Sequence, residues 1–331
     1  MLRLIVMGCG RVLDRYHLPA VRASGDVRIA GVADPSASRR AWARRMLDGV
    51  PCFASAEALL DEVTADAALV TTPPESHVQV AQQVLQRGLP VLIEKPMTLC
   101  RNDAQRICDL QRLHGEPVRV GFNRRFRTGY ANLRARARDA SPVGDVKFQF
   151  TANAARWNRA ASAASTPAEV LHDAGSHGFD LIAFVTGHPI TRVRTVAQRQ
   201  DETCQVTSQL QLGDGSTAAC SVAHAPRFEE YLSVELAGNL VRVDVSGTTR
   251  AARLRSAAVL TIRRLLSRPT PTDQSFRRQL ADFVAACRGE PGTTGADARA
   301  GYRAVATVEA CINSLENGST WQDVFEDSLT Y

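Results

Sequence analysis

Over its first 121 residues the chain alternates short apolar runs with helical patterns, and that alternation limits the fold more than anything else in it. The runs at 2–7, 27–33, 67–71, 91–93 and 118–121 are short and mostly apolar. They read as strands buried on both faces, with 51–53 as a brief addition. Segments 11–23, 36–47, 55–63, 76–88 and 101–114 carry helical spacing. Strands buried on both faces and separated by helices specify an α/β, doubly wound parallel sheet.

The pattern then changes. After an Arg-rich helical segment at 125–140, alternating stretches at 145–152, 191–199, 205–212, 217–222, 231–237 and 240–245 predict an open, mostly antiparallel sheet. The turn Gly213-Asp214-Gly215 joins two of them. Helices are expected at 273–288 and 296–316, the second stopped by Asn317-Gly318. In a chain of 331 residues this gives two domains, a dinucleotide-binding domain at 1–122 and a substrate-binding, oligomerising α+β domain at 123–331. The stretches 160–166 and 269–272 read as loops too short to be linkers, and no internal repeat is evident.

The charge of +6 and pI near 9.1 raise the question of nucleic acid. The arginines are scattered, with no aromatic-interleaved basic block, so attraction for an anionic cofactor or substrate accounts better for the charge. Eight dispersed cysteines without a C-x-x-C pair read as reduced thiols of a cytoplasmic protein. Met1-Leu2-Arg3 leads straight into a short apolar run, with no signal-peptide h-region and no stretch of transmembrane length anywhere.

Gly8-Cys9-Gly10 follows the first strand and opens the first helix, with Arg11 and Val12 in its first turn. The first glycine permits the tight turn, and the second lets backbone N–H groups approach a pyrophosphate. The third position of the glycine fingerprint is Leu13, which predicts that the first helix stands off or tilts. Asp34 ends the second strand, where a carboxylate accepts from the ribose hydroxyls of NAD and repels the 2′-phosphate of NADP. NAD is therefore expected over NADP. Ser36, Arg39 and Arg40 stand within reach of such a phosphate, but the two arginines read more simply as a solvated helix face.

Only two of the 40 basic residues are lysines, Lys95 and Lys147. Lys95 stands just past a buried strand, in Glu94-Lys95-Pro96. An ammonium can release a proton within reach of neutral pH and a guanidinium does not, so this lysine is a candidate for chemistry. A second cluster, Asp173-Ala174-Gly175-Ser176-His177, sets a carboxylate and an imidazole four residues apart, on one face if it opens a helix. An imidazole suits proton exchange at neutral pH. His172 lies beside them without further ligands in the sequence, so no metal is expected.

These elements resemble the glucose–fructose oxidoreductase / inositol dehydrogenase / rhizopine catabolism (Gfo/Idh/MocA) family. The resemblance rests on Gly8-Cys9-Gly10-Arg11-Val12, Tyr16-His17-Leu18-Pro19, Thr72-Pro73-Pro74 with His77, Glu94-Lys95-Pro96, Gly121-Phe122-Asn123-Arg124, and Asp173-x-Gly175-x-His177-x-x-Asp180. It implies an N-terminal Rossmann domain and a C-terminal domain that builds homodimers or homotetramers. It also implies that Lys95, Asp173 and His177 line a cleft by the nicotinamide, with His177 as general base, Lys95 polarising the substrate oxygen and Asp173 orienting the sugar. Thr72, Pro73, His77 and Glu94 are then expected at the cofactor, and Asn123 and Arg124 at the substrate, although capping and packing explain the last two equally well. The implied substrate is a sugar, cyclic polyol or nucleotide-sugar. Two alternatives remain at this level: an enzyme that uses tightly bound NAD transiently for epimerisation, elimination or disproportionation, and an idle NAD-binding regulator. The Arg-rich stretch 250–268 reads as a solvated or subunit-contact face, or, more sharply, as a basic segment that attracts an anionic substrate or an acidic membrane.

Overall fold

The computed structural model describes residues 1–140, 143–153, 165–201, 203–245 and 271–325. The stretch 250–268 lies outside them, as do parts of 160–166 and 269–272. The described residues form two compact units. One holds Met1–Phe126 and the described part of 269–302; the other holds the described parts of 127–268 and 303–331. The chain thus leaves the first unit after Phe126 and returns to it.

In the first unit, β1 (Leu2–Met7), β2 (Val27–Ala33), β3 (Cys52–Phe53), β4 (Ala67–Val70), β5 (Val91–Ile93) and β6 (Val118–Val120) lie parallel in the order β6-β5-β4-β1-β2-β3. The two-residue strand Ala296–Asp297 adds an antiparallel edge beside β6. Strand order reverses at β1, which makes its carboxyl end the expected ligand crevice. Register lines up the last residues: Met7 pairs with Ala33 and Val70, Val70 with Ile93, and Ile93 with Val120. Gly8, Asp34, Thr71, Glu94 and Gly121 therefore follow in one row along one edge of the sheet.

One face of this sheet buries Leu4, Val6, Val32, Leu69 and Leu92 against Leu13 and the helix Pro271–Cys287. That helix contributes Phe276, Leu280, Phe283 and Val284, one stripe at helical spacing. Each such side chain stabilises the unit by about 1.5–3 kcal/mol when fully buried. Pro271 and Thr272, expected in a loop, instead open this helix, where a proline at the first turn sacrifices no intrahelical bond.

The second unit is built on β7 (Val143–Ala152), β8 (Ile190–Gln200), β9 (Thr203–Leu212), β10 (Thr217–His224), β11 (Glu229–Leu236) and β12 (Asn239–Asp244), in the order β12-β11-β7-β10-β9-β8. All neighbours are antiparallel except β7 and β10. Helix Ser176–Thr186 is buried along almost its whole length. Gly178 lets it lie close to the sheet: a Cβ there would stand 2.6 Å from Cys220 Sγ and 2.7 Å from a ring carbon of Phe148. Among the described residues no helix is long and apolar enough to cross a membrane.

Candidate active site

The turn after β1 is shaped by Gly8. Its φ is +97°, and a Cβ would fall 2.7 Å from the backbone of Thr71, so no other residue fits. A Cβ at Gly10 would meet nothing within 4 Å, leaving the backbone open on that side. Leu13 is wholly buried, and it opens a π-helical turn, Leu13–His17, wider than an α turn. Asp34 binds the glycine turn from the side, its Oδ2 accepting from Cys9 N–H at 2.7 Å and its Oδ1 from Ser36 N–H at 2.8 Å. Ionised carboxylate oxygens accept more than one bond each, so both can still take a hydroxyl.

Arg39 and Arg40 do not form a solvated face. Arg39 Nε donates to the Cys9 carbonyl and its guanidinium lies over the Trp42 ring at 4.6 Å, while Arg40 Nη1 donates to the carbonyls of Asp34 and Pro35, both at 2.8 Å. Ser36 caps the helix Ala37–Met46.

Lys95 follows β5 and is partly buried, and the Lys95–Pro96 peptide is cis. The residues around it secure its loop. Glu94 is buried, taking a bond from His17 Nε2 at 2.7 Å on Oε1 and from Lys95 N–H at 3.1 Å on Oε2. His17 packs edge-on to Phe276, and Tyr16 stacks on the same ring. His77 sits between the two loops. Its Nε2 meets the Thr72 carbonyl at 2.9 Å, and its Nδ1 meets those of Pro96 and Met97 at 3.1 and 3.2 Å. Burial pushes its pKa down, against the pull of these carbonyls. A neutral ring carries one N–H and donates to one of these two sides only, and with Glu94 it lies between the loops of Thr72-Pro73 and Lys95-Pro96. Asn123 is buried and donates to Ser275 Oγ at 3.0 Å, joining the turn Asn123–Phe126 to the helix Pro271–Cys287. Arg124 is likewise buried. Both fit the packing reading.

In the second unit Asp173 lies in another π-helical turn, Leu171–Gly175, which runs directly into the helix Ser176–Thr186 carrying His177. Asp173 keeps 38% of its side chain exposed, whereas His177 is buried. Asp173 Oδ2 takes a bond at 3.2 Å from Nε2 of His224, the last residue of β10. Sequence reasoning missed this histidine, because the strand was expected to end at residue 222. His172 is half-buried, and desolvation holds its pKa down. Among the described residues no group of three or more His, Cys, Asp or Glu side chains is placed to hold a metal ion.

The family model for an oxidoreductase family with an NAD-binding Rossmann fold matches residues 2–122, and that for the same family's C-terminal alpha/beta domain matches 144–324. The chain belongs to the Gfo/Idh/MocA family. It is an enzyme of an oxidoreductase family with an NAD-binding Rossmann domain. Inositol 2-dehydrogenase 2 of Saccharopolyspora erythraea is 26% identical to this Gfo/Idh/MocA chain, covering 95% of it and 93% of the relative. The rhizopine catabolism protein MocA of Rhizobium meliloti is 28% identical, covering 95% of each. A solved structure of scyllo-inositol dehydrogenase from Lactobacillus casei, with bound NAD(H) and scyllo-inositol, shares the fold at a TM-score of 0.80 and 16% identity, over 98% of this chain and 99% of that one.

The residues at the turn fit the dinucleotide of this family. Gly10 leaves the helix N-terminus open where a pyrophosphate binds, and the first N–H groups of that helix lack intrahelical acceptors. Asp34 stands beside them with acceptor capacity for the ribose. Arg11 and Val12 occupy the first helical positions after Gly10.

Proposed function

We propose that this protein is an NAD-dependent dehydrogenase of a cyclic polyol of the inositol type, oxidising one ring CH–OH to a ketone. The observation that carries this is the presence of Lys95, Asp173 and His177 at the family's motif positions in a chain whose near-full-length relatives are named inositol 2-dehydrogenases. Bound NAD supplies the hydride acceptor. His177 takes the hydroxyl proton, Lys95 holds the alcohol oxygen and relays the proton onward, and Asp173 orients the hydroxyl. Removing that proton as hydride leaves the carbon is the step that general-base catalysis accelerates, by about 10²–10⁴-fold in typical enzymes. The carboxylate of Asp34 supports NAD over NADP.

A screen of inositols, sugars and nucleotide-sugars by NADH absorbance tests the reading, with an inositol isomer expected as the best substrate and turnover expected to need added NAD. Turnover from cofactor that stays with the protein through gel filtration would point instead to transient use of tightly held NAD. Lys95→Met is expected to lower kcat by roughly 10²–10⁴-fold while NAD affinity stays near wild type. Lys95→Arg should fail almost as badly, since a guanidinium does not release a proton at accessible pH. Wild-type turnover in Lys95→Met would remove this lysine from the chemistry.

A further inference from the structure

We propose that His224 is a positioning residue for Asp173, the middle member of a fixed chain Ser165–His224–Asp173 that sets the direction in which the carboxylate presents itself to substrate. The inference rests on the reading of Asp173 given above and adds to it a residue outside the family's motifs. Its basis is geometric. His224 is buried, with Nε2 3.2 Å from Asp173 Oδ2 and Nδ1 2.9 Å from Ser165 Oγ.

A carboxylate only accepts, so Nε2 must carry the proton, and in the neutral ring Nδ1 is then the acceptor of the Ser165 hydroxyl. One tautomer satisfies both contacts. The Ser165 end and the middle of the chain are themselves held. The Ser165 carbonyl accepts from Arg199 Nη2 at 2.7 Å. Thr166 next to it closes a capping box with Glu169, its Oγ1 accepting from Glu169 N–H at 3.2 Å and its N–H donating to Glu169 Oε2 at 2.7 Å. His224 sits on an inner strand, paired with Ala152 of β7 on one side and Cys204 of β9 on the other.

Asp173 occupies a π-helical turn with 38% of its side chain exposed. A hydrogen bond from a buried imidazole on an inner strand narrows the rotamers such a carboxylate can adopt, which is how supporting hydrogen bonds hold a site to productive geometry.

The test uses His224→Ala and His224→Gln in the full chain. Gln offers an Nε2–H at nearly the position of the imidazole Nε2–H, so it restores the bond to Asp173 but not the ring. His224→Ala is expected to lose about 10–100-fold in kcat on the best polyol, the scale of a displaced catalytic group, with NAD affinity and thermal midpoint close to wild type. His224→Gln is expected to recover most of that loss. Wild-type kcat in His224→Ala, or a folded His224→Gln no better than His224→Ala, would overturn the proposal.

Long-range ¹H–¹⁵N NMR of the imidazoles, with the His224 signals assigned by their absence in His224→Gln, reads the chain without turnover. The Nε2–H tautomer is expected, with its resonances shifted in Asp173→Asn, and an Nδ1–H tautomer would overturn the assignment. If no polyol is turned over by wild type, the functional reading fails while the tautomer still decides whether His224 holds Asp173.

Discussion

Asp34 divides its two oxygens between the glycine turn and the start of the next helix, and both keep acceptor capacity for a ribose hydroxyl. Asp34→Ala therefore removes two acceptors at once. It should weaken NAD binding by about 1.5–3 kcal/mol, a ten- to hundredfold rise in Kd, for the loss of bonds to a charged group. The gap to NADP should narrow, because a 2′-phosphate loses its repulsive neighbour. Titration of both cofactors by protein fluorescence checks this, and a wild type that already prefers NADP would reassign the site to Ser36, Arg39 and Arg40. Those arginines show what a sequence leaves out at this scale. Side chains in the first turn of a helix lean back toward its N-terminus, so Arg39 and Arg40 reach the carbonyls of Cys9, Asp34 and Pro35, although their spacing alone reads as a solvent face. Lys95 was legible because lysine is so rare here. Glu94 and His77 were legible as members of the constellation but not in their orientation, since burial and partner are properties of the fold.

At the scale of elements, β1 and β2 run over the residues their mostly apolar runs predict, because runs this short between turn signals are too brief for a buried helix. The π turns at Leu13–His17 and Leu171–Gly175 were not legible. Their signal is one added residue inside a helical pattern, which periodicity over a short window cannot separate from an α turn. His224 was missed for a related reason: the alternation of β10 continues past residue 222, and a histidine at a strand end looks like the start of a loop. The contact of helix Ser176–Thr186 with the sheet yields a further expectation. Gly178→Ala gains helix propensity, about 1 kcal/mol, but drives a methyl group into Cys220 and Phe148, and overpacking of this kind costs about 1–3 kcal/mol. The variant should unfold at lower urea than wild type and lose activity through the displaced His177 next to it. An unchanged urea midpoint would show that the helix shifts without strain.

For the whole molecule, acid should act on both units. Burial lowers the pKa of His77 in one and of His172 in the other, so each stays neutral when folded under conditions where the unfolded chain takes up a proton. Their contribution is complete above the unfolded value of about 6.5 and is lost as pH falls from there through the folded values. Asp66, whose pKa is lowered chiefly by its hydrogen bond from Arg3, adds a second loss as pH falls below 3.8. Urea midpoints measured on either side of pH ~6.5 should fall on the acid side, and His77→Gln should flatten the first step. The return of the chain to its first unit has a consequence for synthesis. The stripe Phe276, Leu280, Phe283 and Val284 that covers β1, β2 and β4 is translated only after strands β7 to β12 of the second unit. Until then, the nascent Rossmann segment leaves the ribosome with one flank of its sheet uncovered. A ribosome-bound chain stalled before residue 271 should accordingly bind holdase chaperones and be cut by protease within 1–126, and should lose both properties once the helix Pro271–Cys287 has cleared the exit tunnel.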